Sequence, residues 1–331
     1  MKKLLYFVAL GTMLLLAACS PTIEMEVVNV TCHTVDINYT YSGVGEDVVW
    51  LDAVVFDAYG HSGEFQFDIE PGEGKGTMHI EGLYPQSKVY VQVAVRHDGK
   101  TMSQKPLAVV EFDTKEYKKE PVDLGLSVMW YSENLGANGD PLNPGNYYAW
   151  GEVKPQEKGV YTYDTYTFRA FYNRKPNKPY PRWNFGYYYD AATEAMGREW
   201  RMPTHEEWAE LKKMCECKIH KLLGGGAYLH VTGPSGNSIV LPCGEYKADA
   251  YLKQDFGTHR GFYWSSTLAS IKHGDRYPYY SHEEAHSFWF VDKVSRKTSD
   301  CCWTTTSPRI HGLTIRPVCE RYVVELHQLK L

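Results

Sequence analysis

Residues 35–41 and 89–95 set the strongest limit on this chain. Val35, Ile37, Tyr39 and Tyr41 alternate with Asp36, Asn38 and Thr40, and Val89, Val91, Val93 and Val95 alternate with Tyr90, Gln92, Ala94 and Arg96. A helix would scatter such a set around its axis, whereas a strand puts it on one face. Both segments are therefore predicted as half-buried strands. Turn signals punctuate the region, at Glu73-Gly74-Lys75-Gly76 and at Asp98-Gly99, where glycine accepts a positive φ. About seven short strands in ninety residues predict two sheets packed face to face over residues 23–114. At 331 residues the chain exceeds one average domain. The charged stretch 115–121, ending at Pro121, reads as a linker.

Within the first region, Ile80-Glu81-Gly82-Leu83-Tyr84-Pro85-Gln86-Ser87 before the valine strand resembles the corresponding stretch of fibronectin type III domains. That family often carries Tyr six residues after the Leu, where this chain has Val89 followed by Tyr90. The resemblance implies an immunoglobulin/fibronectin III-like sandwich serving as a spacer or a protein-binding module.

The amino end reads as an address. Lys2-Lys3 precede an apolar run over residues 4–18, interrupted by Gly11 and Thr12. Fifteen residues of helix reach about 22 Å, short of a hydrocarbon core of about 30 Å. The run is a signal-peptide core and not a span. It closes in Leu16-Ala17-Ala18-Cys19, which resembles the lipobox of bacterial lipoproteins. That resemblance implies cleavage after residue 18, a diacylglycerol thioether on Cys19, a lipid-anchored stretch 19–22 and a membrane as partner. Several acyl chains anchor stably where one does not. Ser20 fits an outer-membrane lipoprotein, facing the cell surface or the periplasm.

Seven further cysteines remain: Cys32, Cys215, Cys217, Cys243, Cys301, Cys302 and Cys319. An exported protein meets conditions that allow disulfides, and an odd count leaves at least one thiol out of any intrachain pairing. Six carboxy-terminal cysteines permit fifteen pairings, all open at this point.

Residues 122–320 carry a series of anchors. They are Val122-Asp123-Leu124-Gly125-Leu126-Ser127-Val128-Met129-Trp130, Gly145-Asn146-Tyr147-Tyr148-Ala149-Trp150-Gly151-Glu152, Trp200-Arg201-Met202-Pro203-Thr204-His205-Glu206-Glu207-Trp208, Gly261-Phe262-Tyr263-Trp264-Ser265-Ser266 and Gly312-Leu313-Thr314-Ile315-Arg316-Pro317-Val318. In this order they resemble the Fibrobacter succinogenes major paralogous domain, found in surface lipoproteins of gut bacteria. The resemblance implies an α+β C-type-lectin-like domain, distantly related to formylglycine-generating enzymes, and it names no ligand. Residues 321–331 are left as a tail. Locally, Thr204-His205-Glu206-Glu207 is a capping box that starts a helix with Trp208 and Leu211 inward. Ala191 to Met196 predicts a second helix, stopped at Gly197.

Residues 146–189 are dense in aromatic rings. Tyr161, Tyr163, Tyr166, Arg169, Tyr172, Tyr180 and Trp183 are the candidate ligand contacts, because sugar faces stack on rings and Arg adds anion or cation–π contacts. His282-Glu283-Glu284-Ala285-His286 matches HExxH, in which helical histidines hold zinc. The flanking alternation into Ser287-Phe288-Trp289-Phe290 instead predicts a strand, with His282 and His286 some 13 Å apart on one face.

The Glu-Pro-Asn, Gln-Pro-Asp and Trp-Asn-Asp tripeptides of calcium-dependent lectins are absent from the sequence. Net charge is −5 with no basic run, which gives no electrostatic draw for nucleic acid. The expectation is a non-catalytic, lipid-anchored surface protein that recognises a glycan or a protein and needs no cofactor. The alternatives are a zinc peptidase at His282 and His286, a Cys-dependent oxidase, and a structural envelope or fimbria-associated subunit.

Overall fold

A computed structural model describes residues 20–97, 105–156, 160–168, 190–248, 259–269, 284–292 and 301–321. Cys19, Arg169, Tyr172, Tyr180, Trp183 and His282 lie outside the described residues, as does the Asp98-Gly99 turn. The chain is mostly β, arranged as several small antiparallel sheets. No helix among the described residues is long and apolar enough to cross a membrane.

Seven strands occupy the first part: β1 (Thr22–Val30), β2 (Val35–Val44), β3 (Val48–Asp57), β4 (Ser62–Asp68), β5 (Gly72–Ile80), β6 (Lys88–His97) and β7 (Ala108–Asp113). They form two sheets, ordered β1-β2-β5 and β4-β3-β6-β7. The alternation predicted from sequence is what closes the core between them. Val35, Ile37, Tyr39 and Tyr41 of β2 are buried in one core with Val89, Val91, Val93 and Val95 of β6, which lie side by side with Leu51, Ala53 and Val55 of β3 in the other sheet. One turn expectation fails. Glu73 to Gly76 lie inside β5, where Tyr39 pairs with Gly76 and Tyr41 with Gly74. The tyrosine rings lie over those glycines: a Cβ on Gly74 or Gly76 would come within 2.5 Å of a tyrosine hydroxyl oxygen. The glycines are there for ring clearance, not for a turn.

Among the described residues, the second part holds ten strands and two helices. Strands β8 (Pro121–Val122) and β9 (Met129–Tyr131) join β10 (Trp200–Arg201) and β17 (Val318–Cys319) in a sheet ordered β10-β17-β9-β8. The strands β11 (Glu216–Lys221), β12 (Ala227–Thr232) and β13 (Ser238–Pro242) form a meander, and β14 (Arg260–Leu268), β15 (Glu284–Val291) and β16 (Cys302–Pro308) form another. Helix α1 (Ala191–Met196) is capped by Asp190, and α2 (His205–Met214) by Thr204 in the predicted box. Glu207 accepts from the Thr204 amide at 2.8 Å while its own amide donates to Thr204 Oγ1 at 3.2 Å.

Tryptophans organise this core. Trp208 stacks on Phe288 with ring centroids 4.5 Å apart and meets Trp130 at 4.7 Å. A buried indole usually finds a partner for its N–H; Trp130 Nε1 has none among the described residues, whereas the other three buried indoles do. Trp208 donates to the Trp264 carbonyl at 3.2 Å, Trp264 to Tyr148 at 2.6 Å, and Trp150 to Ser265 at 2.8 Å. Fully buried Arg316 ties the segments together by donating to Asn134 Oδ1 at 2.9 Å and to the carbonyls of Tyr131, Ser132 and Val240.

Candidate functional site

The β11–β12 turn reaches across to the first two sheets, and a cleft is lined by the strands that flank it. Three backbone bonds fix the turn: Leu222 N–H to Gly226 O at 3.1 Å, Leu223 N–H to Gly82 O at 3.0 Å, and Gly224 N–H to Ser62 O at 3.0 Å. Leu223 enters the core of the amino-terminal sheets and is 3% exposed. Gly82 must be glycine, since φ is +78° and a Cβ would sit 2.2 Å from the Lys221 carbonyl oxygen. Below lies a cavity of about 550 Å3, within the range of small-ligand sites.

Its walls come from both parts of the chain. His33, on the β1–β2 loop, together with His79 and Glu81, faces His220 of β11 and Tyr228 and His230 of β12. Segment 115–120, expected as a linker, runs along the rim and adds Glu116, Tyr117, Lys118 and Glu120. A run of contacts joins carboxylates and imidazoles here: His79 Nδ1 lies 2.5 Å from Asp36 Oδ1, His79 Nε2 is 3.1 Å from Glu81 Oε1, and Glu81 Oε2 contacts His220 Nδ1. The hydrogen bond to Asp36 raises the His79 pKa, and the same bond holds Asp36 below its usual range.

His33 and His230 differ in kind from that run of contacts. His33 is 8% exposed, with Nδ1 3.1 Å from the Leu83 carbonyl oxygen. A carbonyl only accepts, so Nδ1 carries the proton and Nε2 is left as a lone-pair acceptor. That Nε2 is buried and has no hydrogen-bond partner among the described residues. Burial lowers the His33 pKa, and burial followed by the charge of His220 lowers that of His230. The cleft therefore offers neutral imidazoles and three glutamates as acceptors, with tyrosine rings between them.

The aromatic candidates divide. Tyr161 and Tyr166, expected as ligand contacts, are each 2% exposed and belong to the core. Their hydroxyls explain the difference, because each finds a buried backbone partner. Tyr161 donates to the Tyr147 carbonyl, and its ring covers Gly312. Tyr166 donates to the Trp150 carbonyl at 2.8 Å and accepts from Arg309 Nε and Nη2 at 3.1 and 2.8 Å. Burial pushes both phenols up to about 12. The Arg309 guanidinium, itself buried, lies 4.9 Å from the centre of the Trp150 ring. Tyr163 is half-buried.

His286 lies on strand β15, so the helical zincin arrangement does not form at that end of the motif. Its ring centroid is 4.0 Å from that of His205, at the start of α2, and Nδ1 of each ring is buried without a partner among the described residues. Burial, then the charge of His205, lowers the His286 pKa. Among the described residues no three His, Cys, Asp or Glu side chains converge as a metal site.

The cleft is what sequence reasoning missed. Its only local signal was His79 lying across from Asp36 in the β2–β5 pairing, a relation that needs the register to be known. No family model matches the chain, and no curated protein matches it.

Proposed function

We propose that this chain is an exported, lipid-anchored binding protein of the outer membrane, with Cys19 acylated and no catalytic role. In this reading residues 23–114 are a fibronectin III-like sandwich domain, residues 122–320 are a C-type-lectin-like domain, and a glycan is bound in the cleft between them. The strand orders β1-β2-β5 and β4-β3-β6-β7 around one core support the sandwich. Small sheets with two short helices around separate cores support the lectin-like part.

One observation carries the binding site: the unpartnered Nε2 of His33, buried at the wall of the cleft. A buried acceptor without a donor costs about 1–3 kcal/mol, which a ligand hydroxyl recovers. Glu81, Glu116 and Glu120 add acceptors, and the rings of Tyr117 and Tyr228 supply apolar faces for sugar C–H groups. The thiols argue against cysteine chemistry, because the thiolate is the nucleophile. Burial raises the pKa of Cys32, and it pushes Cys243 up to about 12 and Cys319 up to about 11.

The test is glycan-array binding by the detergent-solubilised full chain, in EDTA, beside the His33→Phe and Glu81→Gln variants. Binding lost in both folded variants supports the reading; binding retained in both removes the cleft from it. Metabolic labelling with radioactive palmitate, absent from Cys19→Ala, tests the anchor separately.

A further inference from the structure

Strands β11 and β16 are outer strands of two different sheets, and no hydrogen-bond ladder joins them among the described residues. Three cysteines gather where they meet. Cys302, the first residue of β16, is 4% exposed and belongs to the tryptophan-rich core, against which Cys217 of β11 and Cys301 pack. The Cys302 side chain is within hydrogen-bonding reach of the side chains of both Cys217 and Cys301. The Cys301 thiol also lies 3.5 Å from the Cys217 carbonyl oxygen, which holds the two segments in register. A bond between sequence neighbours such as Cys301 and Cys302 is strained. Of the two pairs that remain, Cys217 and Cys302 meet side chain to side chain from different strands, whereas the Cys301 thiol is placed on the Cys217 backbone carbonyl.

We propose that Cys217 and Cys302 are a disulfide pair that staples the edge of the β11–β12–β13 sheet to the edge of the β14–β15–β16 sheet, with Cys301 as the thiol beside it. None of the seven described cysteines is in a disulfide in this structure. Closure is thiol–disulfide exchange. One protein thiol loses its proton and attacks a small-molecule disulfide such as oxidised glutathione, releasing one glutathione thiol and leaving a mixed disulfide. The second protein thiol then displaces the remaining glutathione. Overall two protein thiols are oxidised to one disulfide, and one glutathione disulfide is reduced to two glutathiones. The contact with Cys217, with burial behind it, pushes the Cys302 thiol up to about 12, so closure quickens as pH rises. Export, as proposed above, supplies the oxidising surroundings; the proximity of the thiols does not depend on it.

The experiment equilibrates the purified full chain with oxidised glutathione, blocks remaining thiols with N-ethylmaleimide, and maps peptides by mass spectrometry without reduction. A link from the Cys217 peptide to the peptide holding Cys301 and Cys302 is expected. It persists in Cys301→Ser and disappears in Cys302→Ser. Reduction of the linked form lowers Tm by roughly 5–15 °C. A wild-type chain that stays unlinked in the oxidising buffer, or a link that survives Cys302→Ser, overturns the pairing, and the wild-type map needs no variant to fold. A chain that links in buffer but is recovered fully reduced from cells upholds the pairing and counts against export.

Discussion

The amide of Leu223 donates to the carbonyl of Gly82 at 3.0 Å, and the Leu223 side chain lies in a core built otherwise from the first seven strands. A hairpin turn of the carboxy-terminal sheets is thus a structural member of the amino-terminal ones. The cleft exists because this joint holds its two walls at a fixed distance.

Loss of the joint should separate the two parts thermodynamically. Leu223→Ala is expected to cost about 2–4 kcal/mol, as truncation of a buried leucine does. Gly82→Ala should be worse, because its Cβ would strike the Lys221 carbonyl. Gly60→Ala is the control: φ is +90°, yet nothing lies within 4 Å of its Cβ, so only backbone strain of about 1 kcal/mol is expected. Calorimetry should show one transition splitting into two for Gly82→Ala and not for Gly60→Ala.

The buried aromatic stretch gives a contrast between ring and hydroxyl. Trp150→Ala removes an indole that is 1% exposed and should cost about 3–5 kcal/mol. Tyr166→Phe keeps the ring but leaves the Trp150 carbonyl without its donor and the Arg309 guanidinium without that acceptor, at about 1–3 kcal/mol. Urea titration measures both. A Trp150→Ala protein with unchanged midpoint would contradict its place in the core.

The imidazoles of the cleft pull stability in opposite directions with pH. His79 has a raised pKa when folded, so its contribution is complete below the unfolded value of about 6.5 and is lost as pH rises through the folded value. Asp36, lowered, contributes above about 3.9 and loses that as pH falls through its folded value. Their bond is therefore strongest between roughly pH 4 and 6.5. Because His79 is half exposed, solvent screens the pair and the effect is small. His33 and His230 are lowered, so the unfolded chain takes up protons first and stability falls as pH drops below about 6.5. Chemical denaturation from pH 5 to 8 should show His79→Gln losing stability mainly on the acid side, and His33→Phe flattening the acid decline.

Arg316 is predicted to be intolerant of Lys. Its planar fork reaches Asn134 and three backbone carbonyls from different segments, and an ammonium group cannot span that set. Arg316→Lys should cost about 3 kcal/mol or more, with the tryptophan fluorescence of the folded state altered. Near-native stability would contradict that accounting.

What sequence revealed followed from the range of the interactions. The alternations around Ile37 and Val91 and the box at Thr204 are short-range patterns, and each appears as expected. The glycines of β5 misled because their reason is a pair of rings on the neighbouring strand. Tyr161 and Tyr166 misled because nothing near them in sequence announces Tyr147 O, Trp150 O or Arg309 as partners. His33, His79, His220 and His230 belong to three separate stretches of chain, and only tertiary docking makes them neighbours.

The position of Arg316 has a bearing on how the molecule is made. Strand β17 and the guanidinium just before it insert between segments synthesised much earlier, around residues 129–134 and 240. Until that stretch emerges, the carbonyls of Tyr131, Ser132 and Val240 have no cation to converge on. The buried contacts that join residues 129–134 to residue 240 are complete only once residues 316–319 have been made.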